Sequence, residues 1–403
     1  MREHLVPAFV CLLSIASPAL AQQDTFLDRA RQLHREVPMF DGHNDFPWEV
    51  RTKAGKDPAG LDIRGAQPAT MTDIPRMRKG GVGAQFWSVY VPASMAGQTA
   101  VTATLEEIDI VHRMIARYPE TFELALTAAD VERIFKSGRI ASLIGMEGGH
   151  SIDASLGALR MFYRLGARYM TLTHSRNVPW ADSATDEPAH HGLTPFGEDV
   201  IREMNRLGMI ADLSHVSPEV MRQVLRLSKA PVIFSHSSAR ALVDHPRNVP
   251  DDVLTLLKAN GGVVMVSFVP SFTTKDAMAW EAALEAEEAR LEKLTPGDTV
   301  AVERGTAAWK AAHPQPVVTV ADVANHIDHI RAVAGIDHIG YGSDFDGISS
   351  APKGLDDVST FPALTAELLR RGYSDGDVKK ILGLNLLRVM RAVEAVANGL
   401  PHD

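Results

Sequence analysis

The sequence predicts an α/β protein whose parallel strands close into a (β/α)8 barrel, the TIM-barrel architecture. Three observations carry that expectation. Short apolar runs alternate with amphipathic helical patterns along most of the chain, as crossover connections between parallel strands require. The runs number eight, the count a closed barrel needs. Polar side chains recur at the C-terminal ends of these runs, which a barrel gathers at one mouth. An open doubly wound sheet is the alternative architecture for the same alternation.

The first element is a leader. Arg2 precedes an apolar run from Leu5 to Ala16, and Ala19 and Ala21 form an A-x-A site, so Met1–Ala21 reads as a signal peptide cleaved before Gln22. The run is too short to span a bilayer and is broken by Pro7 and Pro18. Cys11, the only cysteine, lies inside it. The exported chain is therefore expected to have no disulfide and no thiol nucleophile, and to be periplasmic or secreted. Residues 22–403 are expected to form a single catalytic barrel domain with no membrane anchor, since the last seven residues are not an anchor signal.

The candidate strands follow in order: Met39–Asp45, Gly83–Val91, Ile140–Glu147, Arg168–His174, Met209–His215, Pro231–His236, Gly262–Phe268 and His338–Asp344. Between them, Thr104–Ala116 sets Leu105, Ile108, Val111, His112 and Ile115 at helical spacing. Leu156–Leu165, Gly197–Leu207, Pro218–Leu227, Asp251–Ala259 and Val320–Val333 behave similarly. One segment breaks the alternation. An Ala/Glu-rich stretch beginning at Thr273 and reaching about Lys310, within an insertion spanning 273–316, separates the seventh and eighth strands. Good helix formers from Trp280 to Arg290 predict a solvated helical excursion, with a lid or a subunit contact as the alternatives.

The composition narrows the function. The 403 residues carry 41 Lys+Arg against 50 Asp+Glu, a net charge of −9, with 45% hydrophobic and 23% charged residues. Disorder, collagen and coiled coil are excluded, and the acidic balance argues against a nucleic-acid partner.

The chemistry lies at the strand ends. His43 and Asp45, two apart, share one side of the first strand. Glu147 ends the third strand, His174 the fourth, His215 the fifth, His236 the sixth and Asp344 the eighth. Singly, each fits a hydrogen-bonded core histidine or a helix N-cap. Together, neutral imidazoles and carboxylates form a donor set that suits zinc, and two metals can share one carboxylate. Two such metals would activate a water at neutral pH beside a carbonyl or phosphoryl centre. Serine catalysis fits poorly, because Ser214 and Ser235 directly precede histidines and should point to the opposite strand face.

Several blocks then carry a resemblance. Asp41-Gly42-His43-Asn44-Asp45, Glu147-Gly148-Gly149, Thr173-His174-Ser175, Asp212-Leu213-Ser214-His215, the run Phe234 to Ala239, the run Arg247 to Leu254 and the run Gly342 to Gly347 closely resemble the membrane (renal) dipeptidase family of zinc peptidases. The likeness extends from about Met39 to the Asn385–Val389 segment. It implies a barrel of the metal-dependent hydrolase type holding two zinc ions per subunit: His43 and Asp45 on one, His215 and His236 on the other, Glu147 bridging. It further implies that His174 contacts the substrate carbonyl, Arg247 binds the substrate carboxylate, and Asp344 moves the proton. The expected substrates are small dipeptides, including L-Xaa-D-Xaa. A homodimer is one assembly the resemblance allows. Asp346 and Trp48 lie in matched blocks and are expected to support or pack. The excursion departs from the family pattern in its length. A hydrolase of another small amide, lactone or phosphoester would use the same donors on the same barrel. A non-catalytic binding protein is a third reading, against which the intact donor set argues.

Overall fold

The computed structural model describes residues 18–401, so Met1–Ala21 lies outside the described residues except for its last four positions, which begin a helix, Pro18–Glu36. Nine parallel strands follow: β1 Met39–Asn44, β2 Val82–Tyr90, β3 Phe122–Leu124, β4 Ile140–Glu147, β5 Ala167–Thr171, β6 Ile210–Asp212, β7 Ile233–Ser237, β8 Val263–Val266 and β9 Ile339–Tyr341. Eight of them close a ring. β2 pairs directly with β4, from Ala84↔Ala141 to Tyr90↔Glu147, and β9 returns to β1 through Asp41↔Tyr341. That closure excludes the open doubly wound sheet. β3 is an extra strand beside the first residues of β4, three residues long and too short to leave an alternating pattern in the sequence.

Helices surround the ring where the apolar spacing places them, and their ends are written locally. Pro218–Leu227 starts on Ser217, whose hydroxyl accepts the Val220 N–H, with proline in the first turn. Val320–Val333 starts with a capping box between Thr319 and Asp322. Pro195–Leu207 stops at Gly208, which takes the left-handed conformation (φ 80°) that a side chain would resist. No helix among the described residues is long and apolar enough to cross a membrane.

Within the ring, Phe40, Phe86 and Tyr169 pack in sequence as tilted pairs, with centroids 5.5 and 4.7 Å apart. Gly145 makes this possible, since a Cβ there would lie 2.0 Å from Cζ of Tyr169. Burying one such aromatic side chain stabilises by roughly 1.5–3 kcal/mol. The packing also aims the Tyr169 hydroxyl at the mouth of the barrel.

The strands stop earlier than the sequence suggests. β5, β6 and β9 end at Thr171, Asp212 and Tyr341, so His174, His215 and Asp344 sit three residues beyond them. The chain turns sharply there. His215 (φ 68°) and Asp344 (φ 67°) both occupy the left-handed region, a conformation that costs a non-glycine residue about 1–2 kcal/mol. The turn releases the backbone from the ladder and folds the side chain back over the mouth.

The insertion between β8 and β9 is helical, as its composition indicates: Pro270–Thr273, Lys275–Leu294 and Thr299–Ala312.

Candidate metal centre

All eight site residues expected from the sequence meet at the C-terminal mouth. Glu147, the last residue of β4, stands in the middle, and its two oxygens face different partners. Oε2 lies 3.5 Å from Nε2 of His43, which is itself 3.3 Å from Oδ2 of Asp45. Oε1 lies 2.9 Å from Nε2 of His215, 3.4 Å from Nε2 of His236 and 3.8 Å from Nε2 of His174. Asp344 joins the His43–Asp45 side, with donor atoms within 4.8 Å of one another.

The electrostatics suit a cation. Burial pushes the His215 and His236 imidazoles well below their usual range, and Arg247 adds to the effect, so both are neutral and able to donate a lone pair. Burial opposes the charge on Glu147, yet His43 and His215 hold its carboxyl well below the ordinary range. Asp344 is pushed well above it, by burial first and then by the neighbouring Asp45 and Glu147 carboxylates. Such crowding of carboxylates is what a bound cation relieves.

Supporting side chains choose which nitrogen faces the centre. The Tyr169 hydroxyl donates to the Gly42 carbonyl at 3.2 Å and lies 2.9 Å from His43 Nδ1, so it accepts from that nitrogen and leaves Nε2 bare. Ser235 works the same way. Its hydroxyl donates to Asp212 Oδ2 at 2.6 Å and sits 2.8 Å from His236 Nδ1. Ser235 is therefore not remote from its histidine, as strand alternation suggests; it orients the ring. It is no nucleophile, since its proton is committed to a buried carboxylate. Tyr169, Asp212 and Ser235 were not legible as site residues, although Asp212 stands three residues before His215 in a matched block.

These residues fit a metal. His43 Nε2 and Asp45 Oδ1 are buried with no hydrogen-bond partner, and Nε2 atoms of His215 and His236 face each other at 3.0 Å. Unsatisfied buried groups cost about 1–3 kcal/mol each, and ring nitrogens converging on a shared carboxylate are a donor set that a cation satisfies.

The centre floors a cavity of about 710 Å³, which Asp45, Glu147, His174, His215, His236, Arg247 and Asp344 line together with Trp48 and Tyr90. Arg247 is 6% exposed. It donates to the His236 carbonyl at 3.2 Å, its guanidinium lies 5.0 Å from the Phe272 ring, and its Nε has no partner. Burial lowers it to about 10, which leaves it charged at neutral pH. Asn248 fixes the neighbourhood by donating to the Phe272 and Val243 carbonyls at 2.9 and 3.0 Å. His174 is carried on an ordered loop, where Ser183 donates to its carbonyl at 2.5 Å and its ring lies 5.0 Å from that of Tyr90. Asp346 accepts the Met71 N–H at 2.6 Å, so it supports a loop as expected, but it and Trp48 also line the cavity.

A closed barrel with buried imidazoles and carboxylates at its C-terminal mouth defines a metal-dependent hydrolase. Residues 27–403 match the membrane dipeptidase family, peptidase family M19, and the chain belongs to that family. It is 44% identical over 389 residues to dipeptidase verJ of Clonostachys rogersoniana, covering 94% of this chain and 90% of that one. Among solved structures it is similar to the probable dipeptidase PvdM from Pseudomonas aeruginosa (TM-score 0.81, 27% identity, 93% of this chain and 100% of that one). It is also similar to a metallo peptidase from Rhodobacter sphaeroides liganded with a phosphinate mimic of L-Ala-D-Ala (TM-score 0.74, 26% identity, 89% and 99%). Family and centre together make the chain a zinc-dependent dipeptidase acting on small dipeptides.

Proposed function

We propose that the centre takes two zinc ions and hydrolyses dipeptides that carry a free C-terminal carboxylate, including L-Xaa-D-Xaa. The observation that carries this reading is the division of Glu147, one oxygen toward His43 and the other toward His215 and His236. His43 and Asp45 would hold one ion, His215 and His236 the other, with Glu147 shared. Zinc, when bound, supplies Lewis acidity and lowers the pKa of water toward 7.

The remaining chemistry belongs to the chain. Arg247 grips the carboxylate of the substrate and sets the scissile carbonyl over the centre; a guanidinium does this with two parallel hydrogen bonds. The imidazole of His174, at the cavity wall, donates to the carbonyl oxygen as charge develops on it. Asp344 accepts a proton from the attacking water and delivers it to the leaving amine, which departs neutral. The relative that binds a mimic of L-Ala-D-Ala supports the inclusion of a D-residue at the C-terminal position.

Arg247→Ala separates this reading from hydrolysis of a neutral ester or lactone. Loss of one partner from a buried charge pair costs about 2–5 kcal/mol, so kcat/KM for a free dipeptide should fall at least about 30-fold, mostly through KM. The C-terminally amidated dipeptide, which offers Arg247 no carboxylate, should be a poorer substrate of the wild type and should change little in the variant. Equal losses on both would remove Arg247 from carboxylate recognition.

A further inference from the structure

The two long helices of the insertion contribute almost nothing to the core. The Lys275–Leu294 helix buries only Ala277, and the Thr299–Ala312 helix buries no side chain. Yet Ala277, Trp280, Glu281 and Leu284, spaced by three, four and seven, face the active-site cavity. Trp280 is also held in place. Its Nε1 donates to the His313 carbonyl at 2.7 Å, and its ring lies 5.7 Å from that of Trp309, which stacks on His313 at 4.5 Å. An indole held by a hydrogen bond and a neighbouring ring is a preformed wall, which binds without first being ordered.

This wall is tied to the anion site. Phe272, beneath the Arg247 guanidinium, lies in the short helix Pro270–Thr273 that runs directly into the Trp280 helix. Asn248, next to Arg247, holds the Phe272 carbonyl, and His326 holds both the Thr273 carbonyl and the Ala239 N–H, each at 3.0 Å. Arginine and aromatic wall are thus held in one hydrogen-bonded frame.

We propose that Trp280 and Leu284 form the subsite for the side chain of the C-terminal residue and select large apolar side chains there. The proposal rests on Arg247 as the carboxylate anchor. A carboxylate on Arg247 brings the adjoining Cα beside Phe272. From that point the lining toward the centre consists of imidazoles and carboxylates, which an apolar group avoids. Away from the metal donors the lining carries Phe272, Ala277, Trp280 and Leu284 beside the polar Glu281, Lys310 and Gln315, so these four supply the apolar contact there, and the 710 Å³ cavity is larger than a glycine-containing dipeptide needs.

The test compares zinc-loaded wild type, Trp280→Ala, Leu284→Ala and Trp280→Phe on Ala-Gly, Ala-Leu, Ala-Phe, Leu-Gly and Phe-Gly, with the C-terminal residue of Ala-Leu and Ala-Phe in both chiralities. Wild type should prefer Ala-Leu and Ala-Phe to Ala-Gly. Trp280→Ala should lower kcat/KM for those two by about ten-fold or more through KM, the scale a lost apolar contact commands, and Trp280→Phe should recover most of it. Ala-Gly and Phe-Gly, with no side chain to place at the wall, should fall by less than about three-fold on the same scale. Losses equal across the panel, or losses that follow the N-terminal residue, overturn the proposal while leaving the dipeptidase reading intact. A wild type that cleaves none of the five overturns both. Melting temperatures within a few degrees of one another establish that the variants are folded.

Discussion

Glu147→Gln should reduce dipeptide turnover by at least about 10³-fold, because it removes the one charged group placed to serve both donor sets. The substitution keeps the volume of the side chain and deletes only its charge and one acceptor. Zinc content should fall from two ions per chain to one or fewer. The metal-free protein should remain folded, since glutamine fills the same space and its amide can still hydrogen-bond the His215 and His236 rings that face Glu147. A variant that retained both ions and most of its activity would show that the split of the Glu147 oxygens has no functional meaning.

Asp344→Asn should behave differently. Loss of a general acid–base group typically costs about 10²–10⁴-fold in kcat. The asparagine cannot take the proton of the water, yet the five proposed ligands remain, so zinc content should stay at two and KM should change little. Asp344 also lies close enough to His43 and Asp45 to serve as a ligand. Metal analysis decides between the roles: loss of one ion from the asparagine variant would make Asp344 a ligand, and retention of both with a collapsed kcat would make it the proton carrier.

The donors were legible because the barrel writes them at a regular place. Each stands at or just past the end of an apolar run, and a closed ring brings strand ends together whatever their separation in sequence. The exact position was less legible. His215 and Asp344 lie beyond their strands in left-handed turns, which no apolar pattern announces. The supporting residues were hidden for another reason. Tyr169 reaches His43 across 126 positions, through the space Gly145 leaves open, and such a contact exists only once the strands are in register. The insertion was readable as helix from its alanine and glutamate content, but not as a cavity wall. In an alanine-rich helix with one buried residue, Trp280 and Leu284 make too narrow a stripe to mark the face that matters.

Zinc titration of the metal-free protein tests the centre most directly. Activity on a free dipeptide, measured against equivalents of zinc added, should rise to a plateau at two ions per chain and vanish again on chelation. A plateau at one ion, or turnover by fully stripped protein, would contradict a shared Glu147 at the heart of a two-zinc site.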